Sequence, residues 1–199
     1  MENDDEMQGY LQKTMQMLDN GKMFYMNSLT SQTMSDLHHA LLYIKASCSE
    51  ITKYGLQNQS AAYWCSLVYS RMSFSFYSRG QFDRANGHAD NGLNLLEKLA
   101  FDQVDASDIH PDDTPNLLRI RLYYCKGASL LQLQRFEESE LYLRKGLELA
   151  PNHCGLIAAF HTVQAELDRF KRKRSIDRNN REDYEHEEEE MKRKVPHQM

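Results

Sequence analysis

The residues best suited to chemistry in this chain are two arginines set among aromatics, Arg71 with Phe74 and Tyr77, and Arg121 with Tyr124. A guanidinium presents a planar fork of donors that matches a carboxylate or a phosphate bidentately, and neighbouring rings pack an apolar side chain beside it. Such chemistry is recognition, not turnover, and it requires a concave surface on which the groups converge. Elsewhere on a fold the same rings would be core and the same arginines solvated. The sequence has no Gly-rich phosphate loop, no Gly-x-Ser-x-Gly and no His-Glu-x-x-His. His38 and His39 are adjacent and point about 100° apart on a helix, so they do not converge on one metal. His153-Cys154 lacks further ligands. The expectation is a non-enzymatic chain with no cofactor and no metal.

The elements that position these groups are readable from residues 120–151, two amphipathic helices joined by a tight turn. Counting Ile120 as position 1, large residues fall at 4 (Tyr123) and 11 (Leu130), small ones at 8 (Gly127), 20 (Ser139) and 27 (Gly146), an aromatic at 17 (Phe136), and Pro151 closes the unit. Antiparallel helices approach closely only where side chains are small, so Gly127 is expected to face Ser139. This is the tetratricopeptide pattern of about 34 residues. Placing Phe82 on Phe136 gives a second unit over 60–100, with Ser73, Ala85 and Gly92 at the small positions.

A degraded first pair spans 5–54. Met7, Tyr10, Leu11, Met15 and Leu18 form a stripe expected to end at Asn20-Gly21. Met23 to Met26 are apolar on every side, as a resumed helix or a buried turn, and could form a dimer surface. Ser35 is expected to cap the next helix, which carries Leu37, Ala40, Leu41, Ile44 and Cys48. Residues 101–116 hold five aspartates and two prolines and read as a connection between repeats. The third pair occupies 117–150. Asn152-His153 starts a capping helix over 153–170 with Leu156, Ile157, Phe160, Val163 and Leu167. The expected fold is all-α, a right-handed tetratricopeptide superhelix of about three helix pairs plus that capping helix. One domain covers 1–170, and 171–199 is a charged helix extension that frays into partial disorder.

Composition agrees: 199 residues, 41% hydrophobic, 27% charged, net charge −5. The acidic balance argues against nucleic acid as a partner for the chain as a whole. No apolar run spans a membrane, and the acidic start is the opposite of a secretory signal. Four scattered cysteines are expected as reduced, buried thiols. The expected compartment is the cytoplasm, with the nucleus as a second location.

Tyr123-Tyr124-Cys125-Lys126-Gly127, the Leu149-Ala150-Pro151-Asn152 junction, the long loop between repeats and the basic final helix resemble one subgroup. They look like the C-terminal tetratricopeptide domain of immunophilin-type (FK506-binding-like) co-chaperones. Residues 1–59 are helical in pattern and too short for an isomerase domain, so no isomerase activity is expected. The resemblance implies a groove lined by Leu67, Ser70, Arg71, Phe74 and Tyr77, and by Arg121, Tyr124, Cys125, Ala128 and Leu131. It also implies a protein partner, as a peptide or helix. Family members grip the acidic C-terminal peptide of the chaperone Hsp90 with an Asn from the middle repeat and a Lys and Arg from the third. Here those places hold Arg71, Arg121 and Cys125, a partial clamp.

Three functions remain open on this basis: an adaptor binding a peptide in the groove, a divergent Hsp90-associated co-chaperone, and a nucleic-acid-associated factor acting through the basic tail. The block Lys171, Arg172, Lys173 and Arg174 reads as a solvated helix end, an import signal, or a calmodulin-type or RNA-contacting helix.

Overall fold

In the computed structural model the described residues form seven α-helices and no strand. They are α1 (Glu2–Ser31), α2 (Met34–Thr52), α3 (Gln59–Ser78), α4 (Phe82–Glu97), α5 (Pro115–Gln132), α6 (Phe136–Leu149) and α7 (Cys154–Lys194). The backbone is described for residues 2–31, 33–52, 59–100, 104, 107, 109 and 113–194, and side chains for those between 8 and 178, 50–52 apart, and for Glu185. Helices pair as α1/α2, α3/α4 and α5/α6, and each pair packs on the next, with α7 against α6 and α5. Odd-numbered helices thus form one layer and even-numbered helices the other.

Small residues allow this stacking. Within the third pair the Ser139 hydroxyl donates to the Gly127 carbonyl at 2.7 Å. A Cβ on Gly127 would stand 2.5 Å from Cγ of Leu143, so only glycine lets α6 come this close. Between pairs the contact repeats. A Cβ on Gly92 would lie 2.9 Å from Leu122 of α5, and one on Gly146 would lie 2.8 Å from Leu156 of α7. The final helix therefore docks on the third pair as the third pair docks on the second. Pro151 follows the end of α6 at Leu149, and His153 starts α7 by accepting the Leu156 amide on Nδ1 at 3.2 Å.

The first pair corrects two expectations. The helix stop at Asn20-Gly21 does not occur, since α1 runs unbroken to Ser31. Gly21 is instead a close-packing residue. A Cβ there would lie 2.4 Å from Ile44 Cγ1 and 3.2 Å from the Ala40 carbonyl, the role Gly127 plays in the third pair. The helix continues through the apolar run, with Tyr25 buried at 1% exposure and Met23 and Met26 at the surface. The second correction concerns the cap of α2, which is Thr33 and not Ser35. Thr33 Oγ1 accepts the Asp36 amide at 3.3 Å, while the Ser31 and Thr33 hydroxyls each donate to the Asp36 carboxylate at 2.5 Å. This is one half of a capping box: Thr33 satisfies the Asp36 amide, while the Thr33 amide donates to Ser31 Oγ at 3.4 Å and not to the Asp36 carboxylate. Those hydroxyls hold the Asp36 carboxyl below its ordinary range.

Of the four cysteines Cys65 and Cys125 are buried and Cys48 is half-buried, but Cys154 is exposed at the start of α7. The α7 helix continues past residue 170 to Lys194, and every described side chain from Asp168 to Arg178 is exposed. Local pairs such as Arg169 with Glu166, at 2.7 Å, support it. Residues 195–199 lie outside the described part. No described helix is long and apolar enough to cross a membrane.

Candidate functional site

The α1, α3 and α5 helices leave a groove between them, with a cavity of about 480 Å³. Four of the five predicted groove residues line it: Arg71, Phe74, Arg121 and Tyr124. Phe74 is 54% exposed, an apolar ring standing in the groove with no core to fill. Tyr77, the fifth, is not among the lining residues. It packs against Phe82 with ring centroids 5.6 Å apart, closing the α3–α4 turn. Burial raises its hydroxyl pKa, with Tyr124 and Cys125 nearby adding to the effect. Leu67, Ser70 and Cys125 line the cavity as well, whereas Ala128 and Leu131 do not.

The centre of the groove contains two residues that periodicity does not reveal, Tyr25 and Asp113. Asp113 is 5% exposed and its carboxylate forms an ion pair with Arg121. Its backbone carbonyl accepts the Tyr63 hydroxyl at 2.7 Å, which fixes the chain at this point. The Tyr25 hydroxyl donates to Asp113 Oδ2 at 3.5 Å, a long contact. Burial raises the Tyr25 pKa, and the guanidiniums of Arg71 and Arg121 pull in the opposite direction. Tyr25, both arginines and Asp113 thus line one cavity, with the phenol bonded to the acid.

Local sequence explains the position of Asp113. Thr114 caps α5 by accepting the Leu117 amide at 3.5 Å, and Pro115 occupies the first turn. The residue before the cap lies outside the helix and can turn back over the face that carries Arg121. Asp113-Thr114-Pro115 is a helix-start signature in the sequence, but nothing in it announces the partner in α5 or the tyrosines of α1 and α3. The loop is thus more than a connection, since its last acid enters the groove.

The groove continues past Arg71 and Phe74 into a second cavity of about 400 Å³, lined also by Ser28, Leu37, Ser75, Ser78 and Arg79. No acidic residue lines this part. Cys125 is buried, at 3% exposure, and that burial pushes its thiol up to about 11. Lys126 is turned away from the groove, ion-paired with Asp90 of α4 and 3.8 Å from the centroid of the Tyr142 ring. His38 bonds the Met34 carbonyl at 2.7 Å and His39 lies against Phe24, with ring centroids 5.2 Å apart. No group of three His, Cys, Asp or Glu side chains converges for a metal among the described residues. Lys171, Arg172, Lys173 and Arg174 are exposed along α7 and none lines the groove.

A family model, "Tetratricopeptide repeat", matches residues 120–153. No curated protein matches the chain. Among solved structures the chain is similar to the C-terminal TPR-containing domain of an FK506-binding protein from Plasmodium falciparum, at 12% identity and TM-score 0.50, covering 82% of this chain and 93% of that one. It is also similar to the TPR domain of Arabidopsis OM64, at 13% identity and TM-score 0.43, over 79% of this chain and 98% of the other. The first TPR of Spaghetti (RPAP3), solved with the HSP90 peptide SRMEEVD, gives 14% identity and TM-score 0.44 over 79% and 94%. The described residues form an all-α stack of helix pairs, and residues 120–153 match the tetratricopeptide-repeat family.

Proposed function

We propose that the chain is a non-enzymatic adaptor that holds a peptide or helix of another protein in the groove between α1, α3 and α5. The observation that supports this most is Phe74. A large ring left half-exposed beside Arg71, inside a cavity rather than on an outer face, has the composition of a binding hot spot. The narrower reading, an acidic chaperone tail held as in a two-carboxylate clamp, rests on Arg121. That arginine is already paired with Asp113, so an incoming carboxylate must compete with one that is tethered.

The test is affinity capture with mass spectrometry from cell extract, comparing wild type with Arg71→Ala plus Arg121→Ala. The expected result is loss of the captured partner with an unchanged helical circular dichroism spectrum. Capture at wild-type strength by the folded double variant contradicts the reading. Capture that falls steeply with salt and depends on α7 instead of the groove would favour nucleic acid bound through the basic tail.

A further inference from the structure

We propose that Arg71 and Arg79 form an anion subsite at the α3 end of the groove for an acidic or phosphorylated side chain of the bound peptide, and that Asp113 is a built-in counter-ion that closes Arg121 to the same anion. The peptide identity of the ligand rests on the groove reading above, whereas the anion chemistry rests on the groove's own charges.

The two ends of the groove differ. On the α5 side the guanidinium of Arg121 is matched by the buried carboxylate of Asp113. On the α3 side Arg71 and Arg79 line one cavity, both exposed, and neither is ion-paired with a described acid. Arg79 follows Ser78, the last residue of α3, and the turn there brings it to the same cavity as Arg71. Arg71 interacts with the neutral Tyr25 phenol, so two guanidiniums without a carboxylate partner raise the local positive potential, and a single anion relieves it.

The hydroxyls refine the chemistry. Ser28 and Ser78 already donate to the carbonyls of Tyr25 and Ser75, at 2.6 and 3.0 Å, so they offer lone pairs. The anion's donors are therefore the arginines and Ser75, whose hydroxyl has no bond among the described residues. Phe74 separates this subsite from the α5 half, where Leu118, Tyr124 and the neutralised Arg121–Asp113 pair suit an uncharged segment. The recognised element is then one anionic group beside apolar residues. Displacing Asp113 from Arg121 is unfavourable because the competitor is intramolecular and anchored through Tyr63.

The test is a titration of the full chain with inorganic phosphate and, in a separate sample, glutarate, following the arginine Nε–H resonances by nuclear magnetic resonance. Arg71 and Arg79 should shift together and saturate while Arg121 stays still. Arg79→Gln should weaken the response at Arg71 by about ten-fold, and Asp113→Asn should bring Arg121 into the responding set. Tighter phosphate binding points to a phosphorylated ligand and tighter glutarate binding to an acidic one. A response of Arg121 in the wild type, or unsaturable shifts shared alike by Arg71, Arg79, Arg84 and Arg144, overturns the proposal. Anion binding at Arg71 and Arg79 in a chain that captures no peptide upholds this site and sinks the groove reading alone. Peptide capture that is indifferent both to Arg79→Gln and to neutralising the peptide's acids does the reverse.

Discussion

The middle pair, α3 and α4, and the third pair, α5 and α6, solve the same packing problem with their residues exchanged. In the third pair the outer helix carries the hydroxyl, and Ser139 bonds back to the Gly127 carbonyl at 2.7 Å. In the middle pair the inner helix carries it, and Ser73 bonds across to the Ala85 carbonyl at 2.8 Å. The turns match as well. Gly80 has φ 72° and Gln134 has φ 59°, each in the left-handed region, and each turn returns an amide to the inner helix at 2.9 Å. What sets the pairs apart is the face turned to the groove. The α3 helix offers Arg71 and, with the turn after it, Arg79 without a carboxylate partner, whereas Arg121 of α5 is neutralised by Asp113. Small residues repeat because close approach of helices demands them everywhere. Groove residues do not repeat, because no helix-to-helix contact constrains an open face.

The largest break in the comparison should come from Gly127→Val, predicted to cost about 3 kcal/mol of stability because the new atoms overlap Leu143, which has 0% exposure. The control is Gly87→Ala in α4, where a Cβ meets nothing within 4 Å. That change should be neutral or stabilise by up to about 1 kcal/mol through helix propensity. Urea denaturation measures both, and equal midpoints would remove the packing argument. Next, Asp113→Asn should cost about 1 kcal/mol, since its ion-pair partner is half-exposed and screened. Arg71→Gln, across the groove, should stay within about 0.5 kcal/mol. A costlier Arg71 change would mean that the arginine is structural. Ser73→Ala and Ser139→Ala should each cost about 1 kcal/mol. A large inequality between them would show that the exchanged hydroxyls are not equivalent.

The smallest expected effect is one of pH. His88 of α4 stacks on Phe76 with centroids 5.0 Å apart, and its pKa is lowered, first by burial and then by His38, Lys45 and Arg84. The folded state therefore resists protonation more than the unfolded chain does. Stability should be complete above the unfolded value of about 6.5 and fall as the pH drops from there through the lower folded value. His88→Gln should flatten the thermal-melting profile in that window, and an unchanged slope would reject the assignment.

A contact is legible in the sequence when it has a period. Gly127, Ser139 and Gly146 lie within one short unit, so their spacing is legible. Gly21 does the same work but lies 19 residues from Ala40, not the 12 that separate Gly127 from Ser139. The longer α1 absorbs the difference, and against the usual spacing the glycine looks like a helix stop. Arg71, Phe74, Arg121 and Tyr124 could be placed because they share helix faces with recognisable packing residues. Tyr77 sits near the end of α3, where the Phe82 turn draws it aside. Asp113 and Tyr25 are not legible in the sequence because their partners come from other helices, and tertiary convergence leaves no mark at short range. Tyr25 was hidden further in an apolar run whose flanking methionines are exposed.

The central claim is that the inner layer, not the outer one, holds the partner. Hydrogen–deuterium exchange of the chain with and without its captured partner tests it most directly. The account predicts slowed exchange in the second half of α1, in α3 and in α5, with α4 and α6 unchanged. Slowed exchange confined to α4, α6 or the far end of α7 would contradict it.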